Sequence, residues 1–243
     1  MEELILREVQ SLSSQFPHWD EVMEKYDKHM YEIGVESALE ERVSTMQEVL
    51  GIYETILKVC TRCGRFRDTW DFPVKYYLLP FGHEALLHSD KMGVEFTLGQ
   101  YQRQLFLRSG LHAPSYLSRV GNSFWSCFLE LELLGEFSFQ ANGLPASEEA
   151  RKVMRRLKSG KSSIFQVIRN YMCFEIFGGH IEDLGWLEVK WPVTLPWSDL
   201  IARAVKAFRC IYKINYTLYR YGGPAFNADG FNPSVDRMPS HHN

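Results

Sequence analysis

The chain predicts a mostly α-helical protein with a small antiparallel β element, an α+β arrangement being second choice to all-α. Three observations predict it. Amphipathic helical spacing recurs at both ends of the chain. One short stretch near the middle alternates like paired strands around a glycine. Hydrophobic residues make up 45% of the 243 and charged residues 23%, an ordinary globular balance that argues against wholesale disorder. At this length folding buries enough surface that the core needs neither disulfides nor a structural metal.

The first helix carries Leu4, Ile5, Val9 and Leu12 on one face and stops before Pro17. A second starts at Asp20, carries Val22, Met23, Tyr26 and Met30, and ends at Gly34. A third opens on the capping box Ser37-x-x-Glu40. It runs Leu39, Val43, Met46, Leu50, Tyr53, Ile56 and Leu57 along one stripe and stops near Cys63-Gly64. Residues 65–96 read as irregular, with Pro73 and Pro80 as breakers, and Thr97-x-x-Gln100 as the cap of a helix reaching Ser109-Gly110. Phe128 to Leu134 alternates, Gly135-Glu136 follows, and Phe137 to Gln140 alternates again, the pattern of a type II′ hairpin. A buried helix over 122–134 capped by Asn122 is the competing reading. Cys173 to Phe177 and Trp186 to Trp191 form a second extended pair around Gly178-Gly179. Helices are expected from Ser147 to Lys158 and from Ser163, and the clearest of all runs from Ser198 to Tyr221-Gly222-Gly223.

Charge divides the chain. Residues 1–100 hold 10 Lys+Arg against 18 Asp+Glu, whereas residues 151–220 hold 13 against 5. The expected organisation is an acidic helical lobe over 1–110, a basic lobe with the hairpin and amphipathic helices over 111–221, and an exposed tail over 222–243. No apolar run is long enough for a transmembrane helix. The start, Met1-Glu2-Glu3-Leu4, is acidic where a signal peptide is basic. Five cysteines, an odd count, predict reduced thiols in a cytoplasmic or nuclear protein that is not secreted.

No catalytic motif survives inspection. Gly160-Lys161-Ser162 ends like a phosphate-binding loop, but Arg155 stands where that loop needs its first glycine. His83-Glu84 with His88 has one residue too many for a zinc-protease pair. Cys60, Cys63, His83 and His88 are a weak candidate zinc set with a linker longer than a finger's, so no metal and no cofactor is expected. Glu130 and Glu132 read as solvent-facing strand charges rather than paired acids.

The chemistry the sequence points to is cationic. On the helix from Ser198, Lys206, Arg209, Lys213, Tyr216 and Arg220 recur at steps of 3, 4, 3 and 4, opposite an apolar face that includes Phe208. On the helix from Ser147, Arg151, Lys152, Arg155 and Arg156 cover the face opposite Val153 and Leu157, and Lys161 follows in the next loop. Cations with an interleaved aromatic can track phosphates and stack a base. The expectation is a non-enzymatic protein binding RNA, single-stranded nucleic acid or another polyanion. Self-association between acidic and basic lobes is the further expectation. The alternatives are a protein-interaction or regulatory factor and an enzyme whose site is dispersed in sequence. The chain resembles no family by its motifs.

Overall fold

The computed structural model describes residues 2–31, 39–72, 83–112, 114–141 and 183–222, with isolated positions 164, 167, 168 and 171. Five helices and six strands lie within them: α1 (Glu2–Gln15), α2 (Trp19–Tyr31), α3 (Leu39–Gly64), α4 (Asn122–Leu134) and α5 (Trp197–Gly222), with β1 (Trp70–Asp71), β2 (Glu84–Ser89), β3 (Val94–Tyr101), β4 (Gln104–His112), β5 (Glu136–Ala141) and β6 (Asp183–Pro192). The strands form one antiparallel sheet in the order β1-β2-β3-β4-β6-β5.

That sheet overturns the mostly-α expectation: the fold is α+β, with a substantial antiparallel sheet rather than a small β element. The helix expected from Thr97 to Ser109 is the β3–β4 hairpin, and part of the stretch that reads as irregular is β1 and β2. The physical reason is period. Phe96, Leu98 and Gln100 alternate with Thr97 and Gly99, and Thr97-x-x-Gln100 imitates a helix cap without the 3.6-residue apolar repeat behind it. The turn itself is inconspicuous. Gln102 and Arg103 both take positive φ, 50° and 61°, in a two-residue reversal normally signalled by Asn-Gly.

The hairpin expected at 128–140 is also corrected. Residues 122–134 are helix α4, and β5 pairs with β6 instead of folding back on the preceding segment. Phe124, Cys127, Phe128 and Leu131 sit at steps of 3, 1 and 3 and are all buried, while Leu129 and Leu133 are left exposed. Burying one helical stripe therefore outweighs the local alternation. The α4 terminus is closed by side chains: the Trp191 indole N–H donates to the Leu134 carbonyl at 2.8 Å and Arg203 Nη1 donates to it at 3.4 Å.

The three N-terminal helices and the long C-terminal helix match the sequence reading to within a few residues. The arm expected at 186–191 lies within β6, whereas 173–182, the helix from Ser147 and most of the one from Ser163 lie outside the described residues. Helix α5 lies against the sheet at β4 and touches α1, α3 and α4. Its buried set, from Leu200 through Phe208 to Leu218, meets Phe96 and belongs to one hydrophobic cluster that draws on both halves of the chain. Polar contacts fix the register of helices on sheet. Asn215 Nδ2 donates to Ser109 Oγ at 3.2 Å, and Ser109 Oγ donates to the Glu95 carbonyl at 2.9 Å. Gln100 Nε2 donates to the Met23 carbonyl and to Asp27, each at 2.9 Å. On the opposite face of the sheet the Arg108 guanidinium donates to both Glu84 carboxylate oxygens, at 2.8 and 2.9 Å, and lies over the Phe106 and Trp186 rings.

Candidate anion-binding groove

Where α5 turns its polar side outward, a cavity of about 430 Å³ opens between it, α4 and the end of α3. Lys206, Arg209, Lys213 and Tyr216 of α5 line it, with Glu130 and Cys127 of α4 and Phe66 beyond α3. Helical spacing puts them there: each step of 3 or 4 residues returns to the same side of α5, and the opposite side is held in the core. Lys206, Lys213 and Arg220 are exposed, and Arg209 and Tyr216 half-buried. Four of the five α5 residues expected to act together thus border one groove, and Arg220 continues the row one turn further on. Arg151, Lys152, Arg155, Arg156 and Lys161 lie outside the described residues.

The groove combines features that no sequence spacing connects. Tyr212 stacks on Phe66 with ring centroids 4.0 Å apart, and Tyr216 stacks on Tyr212 and Tyr219 at 5.9 and 6.2 Å. The Lys91 ammonium, from the β2–β3 turn, sits 4.8 Å above the Tyr216 ring. Tyr216 is therefore one rung of an aromatic ladder with a cation already on it. Asp68 anchors the surroundings, accepting hydrogen bonds from Tyr212 Oη at 3.0 Å and Ser89 Oγ at 2.6 Å. No local pattern around Lys91 announces its role, because a turn between strands brings it in. Arg203, exposed three residues before Lys206, extends the α5 row and is legible by the same spacing.

Two thiols face each other across the groove floor. The neighbouring Cys210 thiol, with the Lys213 ammonium, holds Cys127 below the ordinary thiol range against burial and Glu130. Contact with Cys127, with burial and the Glu130 carboxylate, pushes Cys210 well above the ordinary thiol range. The groove therefore carries three cations and one carboxylate, with the two thiols in its floor.

The weak zinc set is not assembled. Cys60 and Cys63 are buried on α3, where burial pushes both thiols up and disfavours the thiolate a metal needs. His83 is bonded to Tyr26, and His88 lies an odd number of residues further along, on the other face of the sheet. Among the described residues no three His, Cys, Asp or Glu are grouped to hold an ion, and no helix is long and apolar enough to cross a membrane.

Fold and groove together define an α+β protein whose antiparallel sheet is covered by helices, with a cationic channel along the outermost face of its longest C-terminal helix. Compared with known family models, curated proteins and solved structures, the chain matches none.

Proposed function

We propose that the protein is a non-enzymatic binding protein that takes single-stranded nucleic acid, RNA first, along the outer face of α5. The observation that carries the reading is the run of cations from Lys206 to Arg220 bordering an open groove with aromatic rings in its floor. At 1.5 Å per residue the run is about 21 Å long, too long for one small anion and suited to successive phosphates. By their spacing in the sequence, Arg151, Lys152, Arg155, Arg156 and Lys161 are proposed to take part as well. Free Cys60, Cys63, Cys127 and Cys210 suit a compartment that keeps thiols reduced, cytoplasm or nucleus.

A competing reading has the ridge merely neutralise the acidic helices. The pairings of those helices favour binding instead. Glu41 meets Lys25 at 2.7 Å, Glu54 meets Lys58 at 2.8 Å, Glu8 meets Arg62 at 2.6 Å, and Glu24 meets Arg103 at 2.7 Å. None of these cations belongs to the ridge.

The test is fluorescence anisotropy with a labelled oligouridylate between about 50 and 200 mM salt. The Lys206→Gln, Lys213→Gln pair is compared with a Lys25→Gln, Lys58→Gln pair of equal net charge. Each phosphate that is no longer neutralised lowers the slope of log K against log salt by about 0.7 for a single strand, so the slope falls by about 1.4 in the ridge pair and stays unchanged in the control. Equal reductions in the two pairs, or no salt-dependent binding by the wild type, would refute the reading.

A further inference from the structure

The side chains around the α5 groove differ in hydrogen-bonding character. Lys206, Arg209 and Lys213 can only donate, the tyrosine hydroxyls and the thiols can do both, and Glu130 is the one lining side chain that accepts and never donates. It stands exposed on α4, against the Cys210 thiol. A thiol is a weak donor, so most of the acceptor capacity of the carboxylate is left for a ligand. Toward a phosphate, however, that carboxylate is a cost, because like charges repel. A strand that tracks the cations therefore gains most by turning something other than phosphate toward Glu130.

The rest of the cavity suits a base. Phe66, Tyr212 and Tyr216 form a stacked series in its wall, with centroids 4.0 and 5.9 Å apart, and Phe66 and Tyr216 are only half-buried. Single-stranded bases are held by such rings while their edges are read by hydrogen bonds. The volume of about 430 Å³ lies near the lower end of small-molecule sites. It has room for one nucleoside, whereas the row of cations outside it continues past Lys213 to Arg220.

Which base fits follows from the shape of a carboxylate. Its two oxygens accept best from two parallel donors, a geometry that adds specificity to the strength of a charge-assisted bond. A ribose hydroxyl donates one proton. Cytosine and adenine each offer one amino group, and uracil one N–H between two carbonyls. Guanine alone among the common RNA bases presents two adjacent donors, N1–H and the 2-amino group.

We propose that this cavity holds a single guanine of the bound strand, with Glu130 accepting from its N1–H and 2-amino groups while the α5 cations take the flanking phosphates. The assignment rests on the nucleic-acid reading of the groove and adds the base preference that phosphate contacts cannot supply.

The test is fluorescence anisotropy with labelled uridylate heptamers whose central nucleoside is guanosine or inosine. Inosine has the same shape and lacks only the 2-amino group. Guanosine is expected to bind at least about tenfold tighter, as one charge-assisted hydrogen bond demands. Both heptamers carry the same phosphates and should share one salt slope. Glu130→Gln, an isosteric change at an exposed position, should bring the guanosine-to-inosine ratio within about twofold of unity. Glu132→Gln removes the same charge from the same helix outside the groove lining, and should leave the ratio as in wild type. Equal affinity for the two heptamers with the salt slope intact would overturn the guanine site and leave phosphate tracking in place. A ratio that survives Glu130→Gln would overturn it as well, and salt-independent or absent binding of both heptamers would overturn the two readings together.

Discussion

Cys127 shows how far a residue's chemistry is set by its neighbours. An ordinary cysteine titrates near about 8.5, yet this one is held below that range by the Cys210 thiol and the Lys213 ammonium. Because its folded-state value is depressed, the thiolate fills in at lower pH than an ordinary cysteine's, which removes one unit of positive charge from the groove. Two outcomes follow from the sign. Ultraviolet thiolate absorbance, compared between wild type and Cys127→Ser, should show one group titrating below the ordinary thiol range in the wild type alone. Oligouridylate affinity should fall across the same interval, and Cys127→Ser should erase that step. Titration only near the ordinary thiol value would contradict the geometry. Nothing local in the sequence announces this pair, since Cys127 and Cys210 are 83 positions apart and meet only when α4 lies along α5. The cationic row is legible because all its members sit on one helix and obey one period; Glu130, Lys91 and the thiols are not, because they reach the groove from other elements.

Helix α5 carries both its faces in its own sequence, and for that reason it is the most legible element of the chain. Phe208 is fully buried and meets Phe96 at 4.7 Å, Phe66 at 5.6 Å and Trp70 at 5.7 Å. Phe208→Ala should therefore cost roughly 3–5 kcal/mol in urea unfolding; a loss below about 1 kcal/mol would mean that the ring is not core. The strands are harder to read for identifiable reasons. The β3 and β4 segments are buried on both sides over much of their length, so the alternation of Phe96 and Leu98 is set against Thr97 and Gly99 rather than against exposed charges. Their turn uses Gln102-Arg103 in place of the residues that usually mark positive φ. In α4 the misleading signal is the reverse: true alternation, Leu129, Leu131 and Leu133, on a helix that leaves two of the three in water. Gly135, just past that helix, permits a close approach. A Cβ there would stand 2.7 Å from the Lys190 main-chain oxygen, so β5 can follow α4 directly and still reach β6.

At the scale of the molecule, acids of the N-terminal helices find cations within the first 110 residues, among them Lys25, Lys58, Arg62 and Arg103. Exposed cations of the N-terminal helices satisfy many of the neighbouring acids themselves, through the Lys25–Glu41, Lys28–Glu24 and Lys58–Glu54 pairs. Reversing two ridge charges with Lys206→Glu and Lys213→Glu should accordingly leave the unfolding free energy within about 0.5 kcal/mol of wild type, as surface changes usually do. A larger loss in urea titration would return the ridge to a structural role. One further consequence belongs to the order in which the chain is made. The sheet is complete once β6 has been synthesised, but the helix that covers its centre is α5, the last described element. Until α5 has left the ribosome, the sheet at β4 lacks the helix that lies against it, and Phe96 lacks its contact with Phe208. A chain cut short before α5 keeps all six described strands and loses that cover. Premature termination in this protein is thus a route to aggregation rather than to a smaller folded product.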